Sequence, residues 1–149
     1  MNTPPVIRVR NGQRKMPIAA EPLERFASAA FLRCCGLPTA SLENVRAFPE
    51  IGVTLVSDRR IAALHRQFMK IAGPTDVLTF QHGEIVVSVE TAQANATHFG
   101  CSTEDEIRLY IVHGFLHLLG FDDRTPKQSR AMEAAQEIVL RRGRASNDR

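Results

Sequence analysis

The chain has 149 residues, of which 44% are hydrophobic and 23% charged, and its formal net charge is +3. A chain of this length can bury one core without disulfides, so we expect a single domain over residues 1–149, with the last few residues frayed. Apolar runs stop short of the ~20 residues that span a bilayer, and no secretory pattern opens the chain, which together predict a cytoplasmic protein with no membrane partner.

The first half of the chain alternates strand and helix patterns. Short alternating or β-branched runs predict strands, and longer runs with apolar residues at helical spacing predict helices. In chain order these are a strand from Pro5 to Arg10, a helix from Pro22 to Gly36, a strand from Val53 to Val56 and a helix from Ser57 or Asp58 to Gly73. Proline in a first turn, glycine at an end and a Ser or Asp cap support these bounds. Strand, helix and strand in this order imply parallel pairing through a right-handed crossover.

A hairpin and three helices follow. Two β-branched runs, Val77 to Phe80 and Glu84 to Val89, are joined by a three-residue turn that predicts an antiparallel pair. From Thr91 onward the pattern is helical. Capping boxes begin the last two helices and glycines end them, at Thr103 to Gly120 and Thr125 to Gly143. We therefore predict an α+β fold, close to α/β, in which a small mixed four-stranded sheet with an antiparallel edge hairpin is flanked by about five helices.

Two histidines lie four residues apart on a helix that is apolar nearly all round. That spacing puts His113 and His117 on one face, about 40° apart around the axis and about 6 Å along it. Two neutral imidazoles in an apolar wall are costly without a shared partner, which favours a metal ion over hydrogen-bonded core histidines. Asp123 is the predicted third ligand because the chain can turn back after Gly120; Asp122 is its competitor, and both carboxylates also suit a helix N-terminus. Three protein ligands leave the fourth zinc position for water, as in hydrolytic sites.

The segment around the histidines can be compared with known metal-binding signatures. The run from His113 to His117, HGFLH, lacks the Glu that follows the first His in zinc peptidases, which disfavours a peptidase. The run from His113 to Asp123, HGFLHLLGFDD, instead resembles the signature of the YbeY family of bacterial endoribonucleases, His-Gly-x-Leu-His-Leu-x-Gly-Tyr-Asp-His. The resemblance is continuous from about Val53 to Ala135 and includes Glu106, Gly83-Glu84-Ile85 and the run from Pro74 to Phe80.

This resemblance implies a small mixed sheet flanked by helices and a metal-dependent hydrolase, usually with zinc, that cuts single-stranded RNA. It also implies a role in small-subunit ribosomal RNA maturation and ribosome quality control, with an rRNA precursor and the small ribosomal subunit as partners and no DNA. The expected site holds one Zn²⁺ on His113, His117 and Asp123, and another divalent metal can occupy such a donor set. Two His and one carboxylate also match the iron triad of oxygenases, which normally takes its ligands from strands.

Two positions depart from the family pattern. Asp123 stands where the family has its third His; aspartate binds zinc at ~2.0–2.2 Å, so the site can persist. Met69 stands where the family has an Arg thought to handle the phosphate, which removes the expected clamp on developing charge. We hypothesise that Arg66, one helical turn earlier, takes that role, with Lys70 as a second candidate. The alternative is that Arg66 is an ordinary solvated helix residue.

Basic residues follow the proposed metal site directly. Arg124, Lys127 and Arg130 are close in sequence to Asp123, and the net charge favours an anionic partner, so we expect this group to contact the RNA backbone. The three cysteines are expected to be reduced thiols. The predicted function is a metal-dependent endoribonuclease. The alternatives are a ribosome-associated RNA-binding protein that keeps the metal for structure, and a metal hydrolase for another substrate. The sequence does not identify the general base.

Overall fold

A four-stranded mixed sheet forms the centre of the structure, a computed structural model that describes residues 4–147, with side chains as far as Arg141. The strands are β1 (Val6–Asn11), β2 (Glu50–Val56), β3 (Val77–Phe80) and β4 (Glu84–Ser88), in the order β1-β2-β4-β3. Strands β1, β2 and β4 are parallel, and β3 runs antiparallel to β4 at the edge. The predicted mixed sheet with its antiparallel edge hairpin is confirmed.

Helices flank this sheet on both faces. Within the described residues there are five α-helices: α1 (Ala20–Cys35), α2 (Asp58–Met69), α3 (Val89–Phe99), α4 (Thr103–Leu118) and α5 (Pro126–Asn147). Their number and the α+β class agree with the prediction. None of the helices in this part of the chain is long and apolar enough to cross a bilayer. The predicted fraying at the C-terminus involves residues 148–149, which lie outside the described residues.

Several predicted element bounds are displaced, such as the start of β2, which lies at Glu50 rather than Val53, and two of the displaced ends have a local reason. Helix α2 ends at Met69 rather than at Gly73, because Lys70 adopts the left-handed conformation, with φ of 60°, and closes the last turn. Strand β4 ends at Ser88, one residue earlier than predicted, because the Ser88 side chain accepts a hydrogen bond from the Thr91 N–H and begins α3. At both places a capping conformation ends the element before the apolar pattern does.

The two predicted capping boxes have different outcomes. The box at Thr103 is wrong by one residue: Ser102 Oγ accepts the Asp105 N–H at 3.1 Å, while the Glu106 side chain is buried. The second box is confirmed by two reciprocal bonds. Thr125 Oγ1 accepts the Gln128 N–H, and Gln128 Oε1 accepts the Thr125 N–H, each at 3.1 Å. Helix α5 continues beyond its predicted end at Gly143.

Helix α4 is the central helix of the main core. It packs against the sheet and against α1, α3 and α5, and its apolar side chains are fully buried: Ile107, Ile111, Val112, Phe115, Leu116 and Leu118. Burying one such side chain contributes about 1.5–3 kcal/mol, so this packing fixes α4 firmly against the sheet. The sheet's other face packs against α2 in a smaller cluster formed by Val56, Ile61, Leu78 and Val86.

Gly114 sets how closely α4 approaches the sheet. A Cβ at this position would lie 2.8 Å from Ile85 Cδ1 and 2.9 Å from Ile85 Cγ2, both closer than real Cβ atoms come. The glycine therefore lets the helix lie directly on β4. Because His113 and His117 flank this contact, the close approach also fixes the depth at which the two imidazoles sit beside the sheet.

Candidate metal centre

The chain turns back immediately after α4. Gly120 takes a φ of 94°, a conformation that glycine adopts without strain. The Phe121 N–H then bonds the Leu116 carbonyl at 2.9 Å and the Gly120 N–H bonds the His117 carbonyl at 3.2 Å, which is the Schellman arrangement at a helix end. This reversal brings the segment after Phe121 beside the last turns of α4, as the sequence predicts.

Three ligand atoms meet at this reversal. His113 Nε2 and His117 Nε2 are 3.0 Å apart, and Asp123 Oδ2 lies 3.6 Å from each of them. A tetrahedral zinc ion with bonds of about 2.0–2.2 Å separates its ligand atoms by roughly 3.3–3.6 Å. The two sides that end at Asp123 have this length, while the side between the two imidazoles is shorter by about 0.3 Å. The group could hold a metal ion.

The Nδ1 atoms of both imidazoles lie at hydrogen-bond distance from carbonyl oxygens. His113 Nδ1 lies 2.6 Å from Gln136 Oε1, and His117 Nδ1 lies 3.2 Å from the Phe121 carbonyl oxygen. A carbonyl oxygen can only accept, so in this arrangement both Nδ1 atoms carry the proton and donate it. Both Nε2 lone pairs then point at the centre of the triangle, as in histidines that bind metals. Two facing lone pairs repel each other, and a cation between them removes that repulsion.

The electrostatics also favour a neutral imidazole at His117. Burial of the ring, and next the neighbouring His113, lower the pKa of His117 below its ordinary value. A neutral ring leaves the Nε2 lone pair free, and a cation rather than a proton is then the species that joins the ligands. The donor set of two neutral nitrogens and one carboxylate oxygen thus fits a divalent ion.

The two neighbouring aspartates have different roles. Asp122 Oδ1 accepts the Asp123 N–H at 2.8 Å, and Asp122 Oδ2 pairs with Arg124 Nε at 3.2 Å. Ser129 Oγ donates to the Asp123 carbonyl at 3.2 Å, which ties the loop to the first turn of α5. The Asp123 carboxylate itself faces both imidazoles, with Oδ2 at 3.6 Å from each Nε2. Of the two aspartates weighed from the sequence, only Asp123 belongs to the triangle.

The triangle opens onto a cleft of about 310 Å³. The cleft is lined by Met69, Asp76, Val77, Leu78, Thr79, Gln81, His113, His117 and Asp123. No lysine or arginine is among these described lining residues, so the wall carries carboxylates, imidazoles and neutral groups. Strand β3, the edge of the sheet, forms one side of the cleft and the end of α4 forms the other.

The free edge of β3 offers main-chain groups to this cleft. The Ser88 N–H bonds the Asp76 carbonyl at 3.0 Å, and in an antiparallel ladder this pairing alternates along the strand. The main-chain groups of Val77 and Thr79 therefore point away from β4. Asp76 Oδ1 already accepts the Val77 N–H at 2.8 Å, which leaves the Thr79 main chain as the open part of the edge.

None of the four predicted RNA-binding cations lines the cleft, and all four are exposed. Arg66 is exposed on α2, one turn before Met69, and Met69 itself lines the cleft. Arg124 is exposed in the loop after Asp123, and Lys127 and Arg130 are exposed at the start of α5. Their contact with RNA stays a prediction.

Gln136 is the site residue that the sequence reasoning missed. It lies on α5, 23 residues after His113, and no motif marks it. A partial signal existed, because a metal-binding His usually donates its second N–H to an acceptor, and Gln136 directly follows Ala135, which is buried against the core. Only the packing of α5 on α4 brings the two side chains together.

Comparisons with known proteins point to one family. The family described as "Endoribonuclease YbeY" matches residues 8–143. Endoribonuclease YbeY of Brevibacillus brevis is 35% identical over 144 residues, covering 80% of this chain and 89% of the relative. Endoribonuclease YbeY of Moorella thermoacetica is 34% identical over 154 residues, covering 89% and 93%. A solution structure of a Thermotoga maritima protein has the same fold, with a TM-score of 0.58, 24% identity and coverage of 94% and 93%.

Proposed function

The chain belongs to the YbeY family of endoribonucleases, and on that basis we propose that it is a zinc-dependent endoribonuclease that cuts single-stranded RNA. The proposed substrate is a precursor of small-subunit ribosomal RNA, and the proposed setting is ribosome maturation and quality control in the cytoplasm. The observation that carries the proposal is the triangle of His113, His117 and Asp123 at the open cleft, with ligand-atom separations of 3.0, 3.6 and 3.6 Å.

Different residues in and around the cleft have different proposed roles in binding the ion and the RNA. His113, His117 and Asp123 would hold the ion, while Gln136 and the Phe121 carbonyl keep the two imidazoles in the binding tautomer. A bound divalent ion supplies a Lewis acid and lowers the pKa of water, which is the chemistry that phosphodiester hydrolysis needs. The β3 edge gives an extended strand of RNA a wall to lie against, and Arg66, Arg124, Lys127 and Arg130 are proposed to contact its phosphates.

One observation favours a second candidate function. Met69 lines the cleft at the position where the family pattern has an Arg, and the described lining residues include no cation. A cleft without such a charge stabilises a developing phosphorane less well. The second candidate is therefore a ribosome-associated RNA-binding protein that keeps the metal for structure and cleaves poorly.

Metal removal and return separates the two candidates. The purified protein is assayed on a single-stranded RNA and on the matching duplex, before chelation, after chelation and after zinc is restored. We expect cleavage of the single strand only, lost on chelation, recovered with zinc and absent from His117→Ala throughout. A protein that contains the metal and binds the RNA, but shows no cleavage sensitive to His117→Ala, is the binding protein.

A further inference from the structure

A patch of exposed apolar and aromatic side chains borders the cleft. We call it the rim patch; its members are Phe68, Met69, Ile71, Phe80 and His82. Phe68 is 56% exposed, Met69 44% and Ile71 53%, which is unusual for three large apolar side chains within four residues. Such contiguous exposure commonly marks a binding surface. Phe80 is partly buried in the smaller core cluster and Met69 lines the cleft, whereas Phe68, Ile71 and His82 belong to neither the core clusters nor the cleft lining.

The rings of the rim patch are held in fixed positions. Phe80 packs into the small cluster between α2 and the sheet, and Phe68 meets it edge-on with ring centroids 5.3 Å apart. His82, exposed in the β3–β4 turn, lies nearly parallel to Phe80 at 5.8 Å, with an interplanar angle of 30°. Phe80 thus contacts two exposed rings, those of Phe68 and His82.

The rim patch is continuous with the cleft. Met69 belongs to both, and Gln81, which lines the cleft, lies between Phe80 and His82 in the chain. A chain that leaves the metal centre past the end of α2 or the β3–β4 turn therefore meets the rings next. The described lining of the cleft includes no lysine or arginine, but Lys70 is exposed between Met69 and Ile71, so stacking on the rings would add to phosphate contacts rather than replace them.

We propose that an unpaired nucleobase of the RNA substrate stacks on the rim patch, against Phe68 and His82, beside the bond that is cut. The proposal rests on the proposed function and adds to it a subsite for the base. Every base has a flat apolar face, and base–aromatic stacking tolerates any sequence. In a duplex those faces are already stacked, so this subsite would also make the enzyme select single strands.

The direct test is binding of a short single-stranded oligoadenylate that carries a fluorescent 2-aminopurine, with the full chain in chelator to prevent cleavage. Phe68→Leu keeps an apolar side chain but removes the ring, and we expect affinity to fall about fivefold, the lower end of the stacking range. Phe68→Tyr should bind like the parent. The fall for Phe68→Leu should be similar at low and high salt, because stacking releases no counterions.

Phe99→Leu is the matched control. Phe99 is 70% exposed and its ring also meets a histidine, His98, at 4.9 Å, but it is the last residue of α3 and is not among the lining residues of the cleft. Equal binding by Phe68→Leu and the parent would overturn the subsite, and so would equal losses in Phe68→Leu and Phe99→Leu.

Cleavage by the metal-loaded protein distinguishes failure of the subsite from failure of the proposed function. With the subsite in place, Phe68→Leu raises KM severalfold and leaves kcat nearly unchanged. If the parent cleaves RNA and Phe68→Leu and Phe99→Leu both have the same KM as the parent, the subsite is wrong and the proposed endoribonuclease activity is supported. If the parent does not cleave at all, the endoribonuclease is wrong, and the ring-specific loss of oligoadenylate binding alone decides whether the rim patch holds a base.

Discussion

Two of the cavities in the described part of the molecule are similar in size and opposite in chemistry. The metal cleft measures about 310 Å³, and a second cavity of about 250 Å³ lies between the start of β1, α1 and the 3₁₀ turn before β2. The second is lined by Pro4, Pro5, Phe31, Leu32, Cys35, Leu42, Val45 and Arg46. Volume therefore does not identify the site. The site is identified by a group of ligand atoms close enough together to bind one metal ion. Among the described residues only the cleft contains such a group.

The largest difference between the cavities should appear in zinc binding. His117→Ala removes one of three ligands from the cleft, and we expect affinity to fall by more than about 100-fold, beyond the usual effect of losing an outer hydrogen bond to a ligand. Leu42→Ala in the apolar cavity should leave zinc affinity unchanged. Calorimetric titration of both variants measures this, with circular dichroism to establish that each is folded. Equal zinc affinities of His117→Ala and Leu42→Ala would contradict the assignment of the cleft as the zinc site.

A second effect concerns the acceptor behind His113. Gln136→Leu leaves the Nδ1–H without its partner at 2.6 Å, and we expect zinc affinity to fall about 10- to 100-fold. Gln136→Glu keeps an acceptor at the same place, and this variant should bind zinc at least as well as the Gln136→Leu variant. The same titration ranks the three proteins. If Gln136→Leu binds as tightly as the parent, the orienting role is wrong.

The contact under the cleft should be visible in stability. Gly114→Ala would place its Cβ 2.8 Å from Ile85 Cδ1, and overpacking of this kind costs about 1–3 kcal/mol of unfolding free energy. Gly36→Ala, beside the apolar cavity, is the control, since its Cβ would meet only the Arg33 and Leu32 carbonyl oxygens, at 3.5 and 3.8 Å, both ordinary contacts. Urea unfolding compares them. A Gly114→Ala protein as stable as Gly36→Ala would show that α4 can move off the sheet.

The smallest expected effect is the low reactivity of the Cys34 thiol, which is buried in the core next to Cys35, a lining residue of the apolar cavity. Burial raises the pKa of the Cys34 thiol to about 12, so its reactive thiolate is scarce at any pH well below 12 and forms only as the pH approaches that value. Cys101 is exposed, and all three cysteines are free thiols, as predicted. A thiol reagent near neutral pH should therefore modify Cys101 first and Cys34 only after unfolding, as mass spectrometry of digested protein would show. Rapid labelling of native Cys34 would mean that this part of the core opens.

Local signals were enough to predict much of the fold and the core of the site. The four-residue spacing of His113 and His117, together with the turn at Gly120, predicts the three atoms that the structure brings together. These features depend on residues close in the chain. The parallel pairing of β1 with β2 followed from the helix that connects them, but the pairing of β2 with β4 rather than with β3 was not predicted.

What the sequence did not predict depends on packing between distant segments. Ser102 and Thr103 both fit a cap, with Asp105 and Glu106 three residues on, and the burial of Glu106 against the core decides between them. Gln136 reaches His113 only because α5 crosses α4. The exposure of Phe68 was also unexpected, because its spacing with Ile61 and Leu64 predicts a buried position.

The central claim is that Asp123 completes a metal site that cuts RNA, and its neighbour provides the most direct test. Asp123→Ala and Asp122→Ala remove the same group one residue apart, but only Asp123 faces the imidazoles, at 3.6 Å, while Asp122 pairs with Arg124. Zinc content and cleavage of single-stranded RNA are measured on both. We expect Asp123→Ala to lose zinc and cleavage together and Asp122→Ala to keep both. Zinc and cleavage retained in Asp123→Ala, or lost equally in the two variants, would contradict the claim.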